Sequence, residues 1–377
     1  MMRMAADWMS RWCALDRPLR HLPRFGALAV LLALVGALAW STQAVPQMTT
    51  GANQAQVAKA QKNGKKGIGD YELYRRIHKR VDAGEGYYAA AIAEQRANRY
   101  PVKPFVTVRL PTLAFLQSLF GLTTLGHILV GMLVVSIGLY LPLTQDRTGL
   151  AERVAGAVAL LLGGASLFVR QGPLSHESVA GMLLTLALLS YRTTNYWPTL
   201  ILAAMALAVR ELALPFVLLW LVLALVARRW REAGWVAGIV GLFAVGLWLH
   251  SLGVTAAATE GGLSSPGWKS LAGPALPLMG MVRMTPLLML PTWLAAPLAV
   301  LPLVGWASLG GKRAGFACLA FAGFFTMMAL FARLENYYWI LIVLPAYAAG
   351  LAFAPRAVAD LLAAARGKVA SRSEGHI

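Results

Sequence analysis

Seven charged residues interrupt or border the apolar runs of this chain: Arg170, Glu177, Arg210, Glu211, Arg283, Arg333 and Glu335. Three acids, Asp70, Asp82 and Glu85, lie in the one long polar stretch between the first two apolar runs. An ionisable side chain at the centre of a membrane helix costs about 2.5–3.5 kcal/mol on insertion scales, so such residues mark functional sites by default. A carboxylate can take a proton from a hydroxyl. Arginine stays charged, and its fork holds phosphate oxygens in pairs. If the topology places these groups on one side of a membrane, they make a single polar site.

The elements that must position them are membrane helices. Of the 377 residues, 58% are hydrophobic and 13% charged, against about 25% charged in soluble domains. The formal net charge of +18 comes from basic residues in short loops and both tails. Positive-inside topology and anionic lipid account for them, and a nucleic-acid partner is excluded. Cys13 and Cys318 have neither metal-ligand nor disulfide spacing.

Apolar runs predict ten membrane helices, over residues 25–45, 123–144, 154–169, 178–191, 197–209, 212–227, 235–252, 286–306, 315–331 and 339–354. The first resembles a secretory signal, but its length and the spans that follow favour an uncleaved helix. Arg11, Arg17, Arg20 and Arg24 precede it and place the N-terminus in the cytoplasm. With ten crossings, the clusters Arg147/Arg153, Arg228/Arg229/Arg231, Lys312/Arg313 and the tail over 356–377 all fall inside. The run 197–227 is about 46 Å long as helix, too long for one crossing of a ~30 Å core and short for two. A hairpin turning at Arg210-Glu211 preserves the charge rule. The candidate charges then share the external face.

The first external loop covers 46–106 and is basic itself, with Lys62, Lys65, Lys66, Arg75, Arg76, Lys79 and Arg80. Its start, 46–69, is rich in Gln, Asn, Lys and Gly and reads as a flexible linker. Residues 70–81 place Leu73, Tyr74, Ile77 and Val81 on one stripe, which predicts an amphipathic helix lying on the membrane surface. Gly84 and Gly86 break it around Glu85. A second short helix is predicted over 87–97 and is stopped by Pro101 and Pro104.

In this setting the order of several short elements resembles the GT-C class of membrane glycosyltransferases, of the kind that take a sugar from a polyprenyl-phosphate carrier. Glu85-Gly86-Tyr87-Tyr88 is similar to the acidic and aromatic pattern after the first helix, and Arg109-Leu110-Pro111-Thr112-Leu113 to the element closing the first loop. GPLSHESVAGMLLTLALL over 172–189 resembles the acid-bearing start of the fourth helix. AAMALAVRELAL over 203–214 resembles the short hairpin, and RLENYYWILIVLP over 333–345 the element opening the last helix. The class shows a tight acid pair where this chain spreads its acids over Asp70, Asp82 and Glu85.

The resemblance implies transfer of a sugar from a polyprenyl-phosphate donor to a glycan, lipid or protein acceptor at the external face of the cell's inner membrane. It implies a carboxylate base, with Asp70, Glu85 and Asp82 as candidates. The leaving phosphate needs cations, with Arg333, Arg210, Arg283, Arg109 and Arg170 as candidates. Tyr87, Tyr88, Tyr337 and Trp268 could stack on a sugar, and Glu211 lies with Arg210 at the hairpin tip. His176 and Glu177 could orient the acceptor or a divalent cation, although two such residues do not make a metal site. Each residue also has a plain reading: Asp70 as a helix-start acid, Arg210-Glu211 as a local pair, Arg333 and Arg283 as snorkelling cations, His127 and His250 as structural. A transporter or flippase for a lipid-linked or anionic substrate competes with the enzyme, as does a scaffold; the halves show no internal repeat of the transporter kind.

Overall fold

The computed structural model describes residues 12, 14–63, 68–169, 171–258, 261–268 and 270–367, with residues 58–63 described by their backbone alone. Arg170, Cys13, Lys65 and Lys66 lie outside the described residues. The described chain is helical, and its β pairing is one isolated bridge between Lys103 and Ser264. Five segments are long and apolar enough to cross a membrane: 24–57, Leu122–Leu143, Trp230–Ala257, Gly311–Phe331 and 344–365. Shorter apolar helices of 10–17 residues fill the space between them.

The first helix, α1 (Arg24–Asn63), overturns the expected linker after residue 45. Pro46 lacks an amide hydrogen and removes one rung of the ladder, yet the helix continues. The residues beyond it are mostly Ala, Gln and Lys, which are strong helix formers. Thr49 and Thr50 donate their hydroxyls to Val45 O and Pro46 O at 2.8 and 3.1 Å.

The next three helices, α2 (Asp70–Asp82), α3 (Tyr87–Ala97) and α4 (Thr112–Phe120), form a small unit of their own. Here the sequence reading of the apolar stripe is corrected. Leu73 and Ile77 are buried against Tyr87, Ile92, Val108 and Ala114. Leu73 and Ile77 of the stripe therefore face protein, with Tyr74 and Val81 partly buried beside them.

The remaining helices are α5 (Leu122–Leu143), α6 (Leu150–Gly163), α7 (His176–Ser190), α8 (Trp197–Val209), α9 (Leu214–Val226), α10 (Trp230–Ala257), α11 (Ala275–Met284), α12 (Thr292–Ser308), α13 (Gly311–Phe331), α14 (Leu344–Ala349) and α15 (Ala354–Ala365). α7 is the hub and is buried along almost its whole length. The main core gathers around it, with Trp220, Phe316, Phe321 and Tyr347 among its largest side chains. α8 and α9 part at Arg210, whose backbone is extended at φ −151° and ψ 121°. Arg210 itself is 1% exposed, so the arginine expected at an open tip is inside the protein, while Glu211 is half-buried beside it.

The last apolar run is not the single helix expected over 339–354. It enters as a nine-residue 3-10 segment (Leu334–Ile342), followed by α14, a second 3-10 turn (Gly350–Phe353) and α15. The tighter winding threads through a gap walled by glycines. A methyl group on Gly181 would stand 2.0 Å from Leu341 O, and one on Gly280 2.4 Å from Tyr337 O. Those two close approaches fix where Arg333, at the mouth of the segment, comes to rest.

Candidate functional site

The start of α2 builds the site first. Asp70 is the first residue of the helix, in the turn where a carboxylate is favoured by the helix dipole. Its Oδ1 accepts a hydrogen bond from the Tyr100 hydroxyl at 2.8 Å. Burial and the neighbouring Asp70 charge push the Tyr100 phenol up, so Tyr100 remains the donor. One turn along α2, Tyr74 accepts from Arg109 Nε at 3.0 Å, and burial pushes its phenol up to about 12. Tyr87, at the start of α3, donates to Arg109 O at 2.6 Å. Two aromatic hydroxyls thus hold the Arg109 residue by its side chain and its backbone.

These groups open on one cavity of about 210 Å³, lined by Asp70, Tyr74, Tyr87, Tyr100, Arg109, His176, Trp268, Arg333, Glu335 and Trp339 among others. Its roof is the loop 261–268, pinned when Val102 N donates to Leu263 O at 2.9 Å and Ser265 N to Lys103 O at 2.7 Å. That pinning brings Trp268 and Ser265 over the cavity. On the far wall, the Arg333 amide donates to Asn336 Oδ1 at 3.2 Å and the Asn336 amide to Arg333 O at 2.8 Å. This reciprocal cap starts the 3-10 segment and leaves the guanidinium beside Glu335, 3.4 Å away.

Behind Arg109 runs a buried chain of alternating charge. Arg109 lies 3.8 Å from Glu177 Oε1; Arg210 Nε donates to the same oxygen at 2.8 Å; Arg210 also pairs with Glu211. Buried charges persist only when paired. Here two cations meet two anions, and only Arg109 of the four lines the cavity. Arg210, expected in the phosphate clamp, stands outside the cavity and pairs with two carboxylates, Glu177 and Glu211, which also stand outside it.

The acids of the first loop separate in the same way. Glu85 receives both Nε and NH2 of Arg80, at 2.6 and 2.8 Å, and stands outside the cavity. Asp82 is exposed at the end of α2 and accepts from Ser118 Oγ at 3.3 Å. Glu72 pairs with Arg75 and Arg76, and Glu94 with Arg80. Asp70 alone of the three candidate bases lines the cavity, and no basic group stands within ion-pair distance of it among the described residues.

Arg283 also sits elsewhere. Its guanidinium stacks over Tyr337, 5.1 Å from the ring centre, and donates to Asn53 on the extended end of α1. Both residues knit α11 to α1 and neither lines the cavity. Tyr88 bonds instead to His250 at 3.2 Å, and His250 reaches Val108 O at 3.1 Å, a structural bridge. Arg170 lies outside the described residues.

Several cavity residues were missed by sequence reasoning: Tyr74, Tyr100, Thr107, Asn336 and Trp339. Tyr74 was visible on the α2 stripe but was assigned to lipid. Tyr100 sits in a loop and Thr107, Asn336 and Trp339 in 3-10 segments, which carry no 3.6-residue periodic signal. His176 Nδ1, Thr107 Oγ1 and Trp339 Nε1 are buried and have no hydrogen-bond partner. Unpaired buried polar atoms are costly, and three of them in the wall of one cavity fit a polar ligand. Among the described residues, no three His, Cys, Asp or Glu side chains are grouped to hold a metal ion.

No family model, curated protein or solved structure matches this chain.

Proposed function

We propose that the protein is a multi-pass membrane glycosyltransferase of GT-C type, with about ten crossings and both termini cytoplasmic. It moves a sugar from a polyprenyl-phosphate donor to an acceptor hydroxyl at the external face of the inner membrane. The reading is supported above all by one observation: an acid without an ion-pair partner, Asp70, lines the same cavity as Arg109 and Arg333.

In this reading Asp70 takes the proton of the acceptor hydroxyl as its oxygen bonds to the anomeric carbon. The bond from that carbon to the phosphate oxygen breaks, and the leaving phosphate carries away the electron pair. Arg333, tied only loosely to Glu335, and Arg109, fixed by Tyr74 and Tyr87, stabilise the charge that grows there. A positioned base contributes typically 10²–10⁴-fold. Trp268 over the cavity offers an apolar face to a sugar ring, and Tyr100 keeps the Asp70 carboxylate oriented.

The test is incubation of the purified full chain in neutral detergent with a panel of polyprenyl-phosphate sugars, followed by extraction and mass analysis of the lipid. Release of free polyprenyl phosphate that depends on added acceptor supports the reading. Saturable binding of the donors with no release from any of them points to the transporter instead.

A further inference from the structure

A second cavity, of about 340 Å³, is rimmed by Arg147, Arg192, Lys312 and Arg313, and no carboxylate lines it. It lies at the other end of the molecule from the Asp70 cavity. α7 begins with His176 at the first cavity and ends beside Leu189 at the second, and 15 residues of helix span about 22 Å. α13 repeats the relation in reverse, starting with Gly311 and Lys312 at the second cavity and ending just before Arg333 at the first.

Two features show that positive charge at this end is not fully spent inside the protein. Arg313 donates one nitrogen to Tyr191 O at 3.1 Å, while its buried Nε has no acceptor. The Arg192 guanidinium bears on Arg313 as a like charge, with no anion between them among the cavity residues. Arg147 differs: it has the exposed Asp16 at 3.7 Å and donates to Leu309 O at 3.2 Å. The first turn of α13 adds the positive end of a helix dipole, with no side-chain cap from Gly310 and no acid in the turn. Deeper in, Leu143, Leu189 and Leu309 give the cavity an apolar floor.

Guanidinium forks, a free helix start and an apolar floor together suit an amphiphile with a phosphate head. Basic pockets between membrane helices on the cytoplasmic side hold anionic headgroups, and the charge rule puts this end in the cytoplasm. We propose that this cavity is a second binding site, distinct from the Asp70 cavity, for the phosphate group of an anionic lipid headgroup from the cytoplasmic leaflet.

The full chain in phosphatidylcholine-doped micelles is the starting point, and its melting temperature is followed as phosphatidylglycerol or inorganic phosphate is titrated in. Phosphatidylglycerol is expected to raise it, and the pair Arg192→Gln with Arg313→Gln to weaken the apparent affinity about tenfold or more, as loss of charged partners does. Arg228→Gln, in a neighbouring basic cluster outside the cavity, should respond like the wild type. If inorganic phosphate alone reproduces the shift at equal phosphate concentration, the same site takes a free phosphate and the lipid assignment is overturned. If the paired variant responds to phosphatidylglycerol as the wild type does, or neither additive shifts the wild type, there is no site. Should the pair fail to fold in phosphatidylcholine, Arg192→Gln alone, an exposed side chain, carries the same comparison.

Discussion

Tyr100 reaches back 30 residues to place its hydroxyl 2.8 Å from Asp70 Oδ1, joining the loop after α3 to the first residue of α2. The contact gives the candidate base a fixed orientation without neutralising it. Tyr100→Phe removes the donor and leaves the carboxylate in place. In the transfer assay it is expected to lower kcat several-fold with KM for the donor nearly unchanged, the mark of a positioning residue. A hydrogen bond to a charged group is worth about 3 kcal/mol at most, so a loss well above a hundredfold would mean that Tyr100 itself touches the reacting atoms.

Arg210 tests the buried charge chain. Arg210→Met leaves Glu177 and Glu211 without their close cation. Breaking a buried pair typically costs about 3–5 kcal/mol, so thermal unfolding should occur well below the wild-type temperature. Adding Glu177→Gln to Arg210→Met should restore part of the loss, because the stranded charge is then gone. A double variant no more stable than the single one would show that the pair is not coupled.

Arg109 and Arg333 are expected to differ from Arg210 in the opposite sense. Arg333 is a quarter exposed and carries only a 3.4 Å ion pair, so Arg333→Gln should alter melting little while reducing turnover by at least tenfold. A charge-assisted contact to the departing phosphate is worth about 1.5–3 kcal/mol. Parallel melting and rate measurements on Arg333→Gln and Arg210→Met separate a ligand-facing cation from a structural one.

Gly181→Ala addresses the 3-10 segment. The added methyl would meet Leu341 O at 2.0 Å, and both neighbours are backbone in a close-packed core. The segment must shift, and with it Arg333. The variant should lose several degrees of melting temperature and activity as well, whereas Gly138→Ala, where nothing lies within reach of the new methyl, should lose neither.

Much of the element plan was legible because periodicity is local. The helices expected over 70–81 and 87–97 stand as Asp70–Asp82 and Tyr87–Ala97, and the break at Arg210-Glu211 is where the charges placed it. What failed depended on partners far along the chain. Residues 46–63 looked like a linker because their polarity outweighed a strong helix propensity. The α2 stripe looked like a membrane face because a neighbouring helix and a bilayer demand the same pattern. Asp70 could not be separated from Glu85 by type or loop. Glu85 is claimed by Arg80, five residues away, and only the fold shows that Asp70 is claimed by no cation. Position beside apolar runs makes Arg333, Arg210 and Arg283 alike as clamp candidates; only the fold separates them, tying Arg210 to Glu177 and Arg283 to Asn53 and Tyr337.

The central claim rests on Asp70, and its substitution gives the most direct measurement. Asp70→Asn and Glu85→Gln should be purified alongside the wild type, shown to melt at similar temperatures, and assayed for release of polyprenyl phosphate from a polyprenyl-phosphate sugar. A loss of about 10²–10⁴-fold is expected for Asp70→Asn, with near wild-type turnover for Glu85→Gln. Full activity in Asp70→Asn, or a loss confined to Glu85→Gln, would contradict that claim.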